Sequence, residues 1–129
     1  MEPIERGKRI LVIDEDEATR LRMSWNLSKA GYCVDAYEDG AHGIEAATRL
    51  EPDVVLVAMG LDGLSGIDVI SSLHNTLPDT AIIGMTAYRT AELEAIAVRA
   101  GADGLLAKPA TAGVLRATVR QVLFEHLAV

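Results

Sequence analysis

Four side chains equipped for chemistry fall at the ends of short apolar runs. Asp14 and Glu15 follow residues 10–13, Thr86 follows 80–85, and Lys108 follows 103–107. Paired carboxylates attract cations, a hydroxyl donates to an oxyanion, and an ammonium pairs with one. A further run, 54–57, stops at Ala58, whose methyl group has no chemistry. Singly, each of these residues is ordinary. Acids after a strand serve as helix-start charges favoured by the helix dipole. A threonine can close a turn, and a lysine before a proline sits on many surfaces. The set acquires meaning only if the chain brings those run ends to one place.

The elements that would do so can be read in order. Residues 10–13 are four apolar residues, the mark of a strand buried on both faces. Residues 17–30 turn helical, with Met23, Leu27 and Ala30 at i, i+4, i+7 spacing and Gly31 as a stop. A second strand spans 32–37. A helix over 41–50 follows the Asp39-Gly40 turn, with Ile44, Ala47 and Leu50 inward. The stretch 52–66, PDVVLVAMGLDGLSG, holds an apolar strand, a glycine-rich loop and the start of a third helix over 65–77. Ser65 is its candidate N-cap, Asp68 a capping-box partner, and Ile67, Ile70 and Leu73 its inner face. A strand over 80–85, a helix over 90–100 stopped by Gly101, a strand over 103–107 and a helix over 111–127 complete the chain. The last helix carries Val114 or Leu115, Val119, Val122 and Leu123 as its stripe.

Strand and helix therefore alternate five times over short connections. The expected fold is α/β: a doubly wound (βα)5 domain, with a five-stranded parallel sheet, helices on both faces and right-handed crossovers. Ligands bind such sheets at the carboxyl ends of the strands. Asp14, Glu15, Ala58, Thr86 and Lys108 then converge on one edge.

The 129 residues suit one domain, with a core over about 8–127 and no internal repeat or linker. Half of the residues are hydrophobic, enough to bury a real core. A formal net charge of −7 argues against a nucleic-acid or anionic-membrane surface. The single cysteine, Cys33, cannot form an internal disulfide and reads as a small core residue of its strand. No signal peptide is visible at the polar start, and no run approaches the ~20 apolar residues of a membrane span. A soluble cytoplasmic protein is expected.

Taken together, ILVIDEDEATR, PDVVLVAMGLDGLSG, the MTA at 85–87 and GADGLLAKPA resemble the response-regulator receiver domains of two-component phosphorelay signalling. The resemblance covers nearly the whole chain, and the motifs together are highly specific. It implies a flavodoxin-like receiver fold with strand order 2-1-3-4-5. In that family an aspartate accepts a phosphoryl group from a histidine kinase or a histidine phosphotransfer protein. Carried over, Glu15 would be the direct Mg²⁺ ligand, Asp14 its water-mediated partner and the backbone carbonyl of Gly60 a third ligand. Thr86 would be the switch hydroxyl and Lys108 the phosphoryl-binding cation. Mg²⁺ takes hard oxygen ligands and keeps several waters, so such a set suits it.

The departures are as informative. The phosphoacceptor position is Ala58, which cannot be phosphorylated and removes a metal ligand, so Mg²⁺ binding should be weakened. Two readings stay open: an active receiver carrying an Asp→Ala change, which the otherwise intact polar site favours, and a natural pseudo-receiver acting as a phosphorylation-independent interaction module. Asp62, where the family has proline, reads as a turn residue that is not phosphorylated, and Asp53 lies at the wrong end of its strand. Leu105 replaces an aromatic that couples to the switch hydroxyl, and Ala110 replaces another common aromatic. Tyr88 reads as an exposed loop residue.

Receivers commonly use the face of helix 4, strand 5 and helix 5. Here Glu92, Glu94 and Arg99 with Arg116 and Arg120 suggest a homodimer through it, or ordinary solvated charges. Kinase docking commonly uses helix 1, where Ala18, Met23 and Trp25 lie; Trp25 falls off the apolar stripe, as an exposed anchor or at a packed helix edge. A stand-alone receiver and a fragment of a larger regulator or hybrid kinase both fit the length. The expected domain is not an enzyme. A haloacid-dehalogenase-type phosphatase could use Asp14 with Asp16, but no loop is long enough for its cap. A flavodoxin-like cofactor binder would want a phosphate-cradling loop where four consecutive acids stand.

Overall fold

The computed structural model describes residues 5–60 and 65–127. Its elements run β1 Arg9–Ile13, α1 Glu17–Lys29, β2 Cys33–Tyr37, α2 Gly40–Leu50, β3 Val54–Ala58, α3 Gly66–Thr76, β4 Ala81–Thr86, α4 Ala91–Ala100, β5 Gly104–Ala107 and α5 Ala112–Leu127. The sheet has five strands, all parallel, in the order β2-β1-β3-β4-β5. Helices α1 and α5 pack together on one face, and α2, α3 and α4 follow one another on the other.

The apolar runs become strands because both faces of the sheet are covered. Ile10 to Ile13 and Val54 to Val57 are fully buried, and Ile82, Ile83 and Met85 nearly so. Burying one such side chain contributes roughly 1.5–3 kcal/mol. Each helix opens on a side-chain oxygen that accepts an otherwise orphaned amide N–H. Asp16 receives Thr19, Asp39 receives His42, Ser65 receives Asp68, Thr90 receives Leu93 and Thr111 receives Val114. At α3 the expected capping box takes another form: the Asp68 carboxylate accepts the Ser65 hydroxyl at 2.9 Å. At the starting end of the sheet, carboxylates close strand amides in the same way. Asp53 accepts the Arg9 N–H and Asp103 the Ile82 N–H, each at 2.8 Å.

Four sequence expectations change in detail. Cys33 is exposed, not a core residue, because β2 is an edge strand and only part of it is covered. Helix α2 seats on Gly43, Ala46 and Ala47, while Ile44 and Leu50 are only half-buried; a side chain at Gly43 would collide with Ile13, so the helix lies too close for larger residues. Of the two candidates on α5, Leu115 is buried and Val114 exposed. Glu5, outside the expected core, is fully buried and ion-paired to Arg116 at 3.0 Å and Arg120 at 2.7 Å. Beside that cluster the Tyr32 hydroxyl is buried without a hydrogen-bond partner among the described residues, and burial pushes its ionisation up.

Candidate functional site

Parallel β1, β3, β4 and β5 finish at the same edge, so their last residues gather there. Ile13 pairs with Val57, Ala58 with Met85, and Thr86 with Ala107. The glycine that opens α3 sets the spacing on the β3 side. A Cβ at Gly66 would overlap the Ala58 carbonyl oxygen and the Met59 Cα, so only glycine lets α3 start against the strand end. Residues 61–64, including Asp62, lie outside the described residues.

Asp14 is the centre of the polar set. It is 1% exposed, and both carboxylate oxygens are engaged. Oδ1 accepts the Asp16 N–H at 3.0 Å, and Oδ2 lies 2.7 Å from Lys108 Nζ. Burying a carboxylate is costly unless it is paired and hydrogen-bonded, and this one is both. Lys108 is in turn fixed by its backbone, whose N–H donates to the Thr86 carbonyl at 2.8 Å, and is followed by a cis bond to Pro109. Thr86 is half-buried; its hydroxyl oxygen accepts the Tyr88 N–H at 3.1 Å, which leaves the hydroxyl proton to donate elsewhere.

Glu15 and Gly60 are exposed at the same edge. Asp16 is held below the usual carboxylate range by hydrogen bonds from the Thr19 hydroxyl and N–H, consistent with its work as the α1 cap. Ala58 ends β3 nearly buried and brings no polar side-chain atom.

The structure thus brings Asp14, Thr86 and Lys108 together, with Glu15, Ala58 and Gly60 at the strand ends around them. One contributor went unread. Arg20, on the first turns of α1, donates through Nη1 to the carbonyl oxygens of Asp14 at 2.8 Å and Glu15 at 3.0 Å. It grips the loop that carries the acidic pair. Its place six residues after Asp14, facing back along the helix, was the available signal.

The surface residues sort differently from one another. Tyr88 is exposed as expected, and Trp25 is 66% exposed with Lys29 Nζ 5.4 Å from its ring centroid, so the packed-edge alternative falls. Arg116 and Arg120, offered for pairing across a dimer, are already held by Glu5. Asp53 sits at the starting end of β3, as expected.

The donor set fits a hard divalent cation short of one ligand. Carboxylates from Asp14 and Glu15 and a carbonyl from Gly60 are of the right chemistry, but Asp14 is engaged by an ammonium and position 58 has no side-chain oxygen. Among the described residues no cluster of three histidine, cysteine or acidic side chains is arranged to hold a metal.

Comparison with known proteins gives the family and the fold. Residues 10–120 match the response regulator receiver domain. A response regulator, MprA, of Mycobacterium leprae is 33% identical over 115 residues, which are 89% of this chain and 50% of that protein. A cyclic di-GMP phosphodiesterase of Thermotoga maritima is 32% identical over 88% of this chain and 30% of its own length. The chain spans half or less of these curated relatives. The chemotaxis protein CheY4 of Vibrio cholerae, 24% identical, superposes with a TM-score of 0.86 over 90% of this chain and 98% of its own, which shows the shared fold.

The chain belongs to the response-regulator receiver domains of two-component signalling, a class of generally non-catalytic signalling modules. That membership sets aside the phosphatase and flavin-binding readings of the four-acid loop. No helix among the described residues is long and apolar enough to cross a membrane.

Proposed function

We propose that this chain is a receiver whose site is complete except for its phosphoryl acceptor, so that it presents one fixed signalling surface. The observation that carries the reading is a nearly buried methyl group at Ala58 beside strand ends that carry a paired Asp14 and Lys108 and the Thr86 hydroxyl. An in-line phosphoryl transfer needs an oxygen nucleophile and neutralisation of the charge that moves with it. In this reading Lys108 and the Thr86 hydroxyl meet phosphoryl oxygens, and Glu15, Asp14 and the Gly60 carbonyl would hold Mg²⁺, weakly for want of a carboxylate at position 58. A bound divalent cation would supply charge neutralisation. The intact polar set favours an Asp→Ala form of an active receiver. The pseudo-receiver reading draws support from Leu105, buried where an aromatic would couple to Thr86.

The partner proposed is a histidine kinase or phosphotransfer protein, with no nucleic-acid contact, in the cytoplasm and with no catalytic activity of the domain's own. A homodimer through α4, β5 and α5 would rest on exposed Ile96 and Val98 with Glu92 and Arg99, since Glu5 holds Arg116 and Arg120 and Arg89 pairs with Glu94.

Intact mass after incubation with Mg²⁺ and a small-molecule phosphodonor tests the reading. Ala58→Asp should gain one phosphoryl group and the parent chain none. Phosphate on the parent, mapped to Asp62 or elsewhere, would overturn it, as would an inert Ala58→Asp that binds Mg²⁺.

A further inference from the structure

Glu5 is held as a bound ligand would be. Its carboxylate is fully buried, yet it stands in a turn ahead of β1, outside every helix and strand. Arg116 reaches both of its oxygens at 3.0 to 3.2 Å, and Arg120 Nε lies 2.7 Å from one of them. The two arginines are one turn apart on α5 and share a face, and a guanidinium fork matches a carboxylate at two points. The backbone around Glu5 is lightly attached. Arg6 and Gly7 are exposed, the Gly7 N–H donates to the Gly31 carbonyl at 3.2 Å, and the Lys8 N–H donates to the Glu5 carbonyl at 3.3 Å. Gly7 bends at φ 74°, which glycine does without strain. The segment is tied down mainly by its acidic side chain.

The receiving surface is larger than its occupant. The Tyr32 hydroxyl is buried within reach of the charges on Glu5, Arg116 and Arg120, and has no hydrogen-bond partner among the described residues. It is a donor that Glu5 leaves unused. From Arg116 a groove runs between α1 and α5, lined also by Asn26, Lys29, Ala30, Ala112 and Gly113. Its charged residues, Lys29 and Arg116, are both basic in a chain of net charge −7, and a Cβ at Gly113 would meet nothing within 4 Å.

We propose that Arg116, Arg120 and Tyr32, with the groove that leads to Lys29, form a receptor for an acidic segment of a partner protein, and that Glu5 closes it in cis. A partner's carboxylate would displace Glu5 from the arginines and set a neighbouring acid beside Lys29. A short tether holds Glu5 at an effective concentration on the order of millimolar. A site that takes a free acidic peptide at ~0.1 mM is then masked about tenfold. The proposal is independent of position 58, so the phosphorylation of Ala58→Asp neither supports nor harms it.

The probe is a capped, fluorescently labelled pentaglutamate peptide, followed by anisotropy on the full chain at low salt. Glu5→Ala should bind it about tenfold more tightly than the parent. Glu45→Gln, which removes an exposed acid from α2 on the opposite face of the sheet, should bind like the parent. Adding Arg116→Met and Arg120→Met to Glu5→Ala should abolish binding. Tyr32→Phe in the Glu5→Ala chain should weaken binding severalfold, although the hydroxyl has no partner to lose in the parent. Equal affinities of the parent and Glu5→Ala, a gain matched by Glu45→Gln, binding that survives loss of both arginines, or indifference to Tyr32→Phe would overturn the proposal. So would tighter binding of inorganic phosphate than of the peptide, which would make the arginines a phosphate site. Should Glu5→Ala fail to fold, Glu5→Gln keeps the side chain's shape without its charge, and the same comparisons apply to it.

Discussion

The buried Glu5 cluster gives an asymmetric prediction. Glu5 is fully buried, whereas Arg116 and Arg120 remain nearly half exposed while contacting it at 3.0 and 2.7 Å. At an effective dielectric near 20, each pair attracts by roughly 5–6 kcal/mol. Desolvation opposes this by several kcal/mol per ion, so the net contribution of the cluster is small. What matters is which partner is removed. Arg116→Met with Arg120→Met strands a carboxylate away from water, at a cost of about 3–5 kcal/mol. Glu5→Leu instead frees two guanidinium groups that already reach solvent, at a cost of about 1 kcal/mol. In a domain this size each kcal/mol moves Tm by roughly 3–5 °C. The double arginine variant should therefore melt about 10–20 °C below the parent, with Glu5→Leu within about 5 °C of it. Urea unfolding followed by circular dichroism should give the same order. A Glu5→Leu variant as damaged as the double arginine variant would refute the argument, because it would mean that the attraction, not the stranded charge, dominates.

Two further outcomes follow from local geometry. Gly66→Ala should destabilise the chain by roughly 1–3 kcal/mol in urea titrations, since its methyl group collides with the Ala58–Met59 backbone, which cannot swing aside; unchanged stability would show that α3 is free to shift. His42, 2.6 Å from Asp39, is held above the usual imidazole range by that carboxylate. The pair's contribution to stability is thus present below the ordinary histidine pKa and is lost as pH rises through the raised value. An NMR titration should show the raised midpoint and Asp39→Asn, which keeps an N-cap, should return it to normal.

Much of this architecture was legible because a parallel sheet writes itself as apolar runs. Residues 10–13 and 54–57 are buried on both faces and could not be polar, and Ser65 is legible as the cap of its helix. The strand ends then named Asp14, Thr86 and Lys108. What stayed hidden depended on partners distant in sequence. Nothing local distinguishes Glu5 from a solvated terminal acid, or Arg116 and Arg120 from surface charges, until α5 is laid beside the chain's start. Cys33 was misread because an apolar residue in an edge strand carries the same letters as one in a central strand. The grip of Arg20 on the Asp14 and Glu15 carbonyls has only its spacing from Asp14 as a signal, because main-chain acceptors leave no trace in the sequence.

The acids of this chain are divided between the two rims of the sheet, and the division has a consequence. At the starting rim, Asp53 and Asp103 are consumed as terminators for the amides of Arg9 and Ile82. At the finishing rim, Asp14 is buried against Lys108 and Glu15 is exposed. Asp53 and Asp103 close strand amides at the rim away from Ala58, so a substitution at position 58 leaves those closures untouched. On the function proposed above, loss of the acceptor would spare the alignment of the strands and keep the domain's surface.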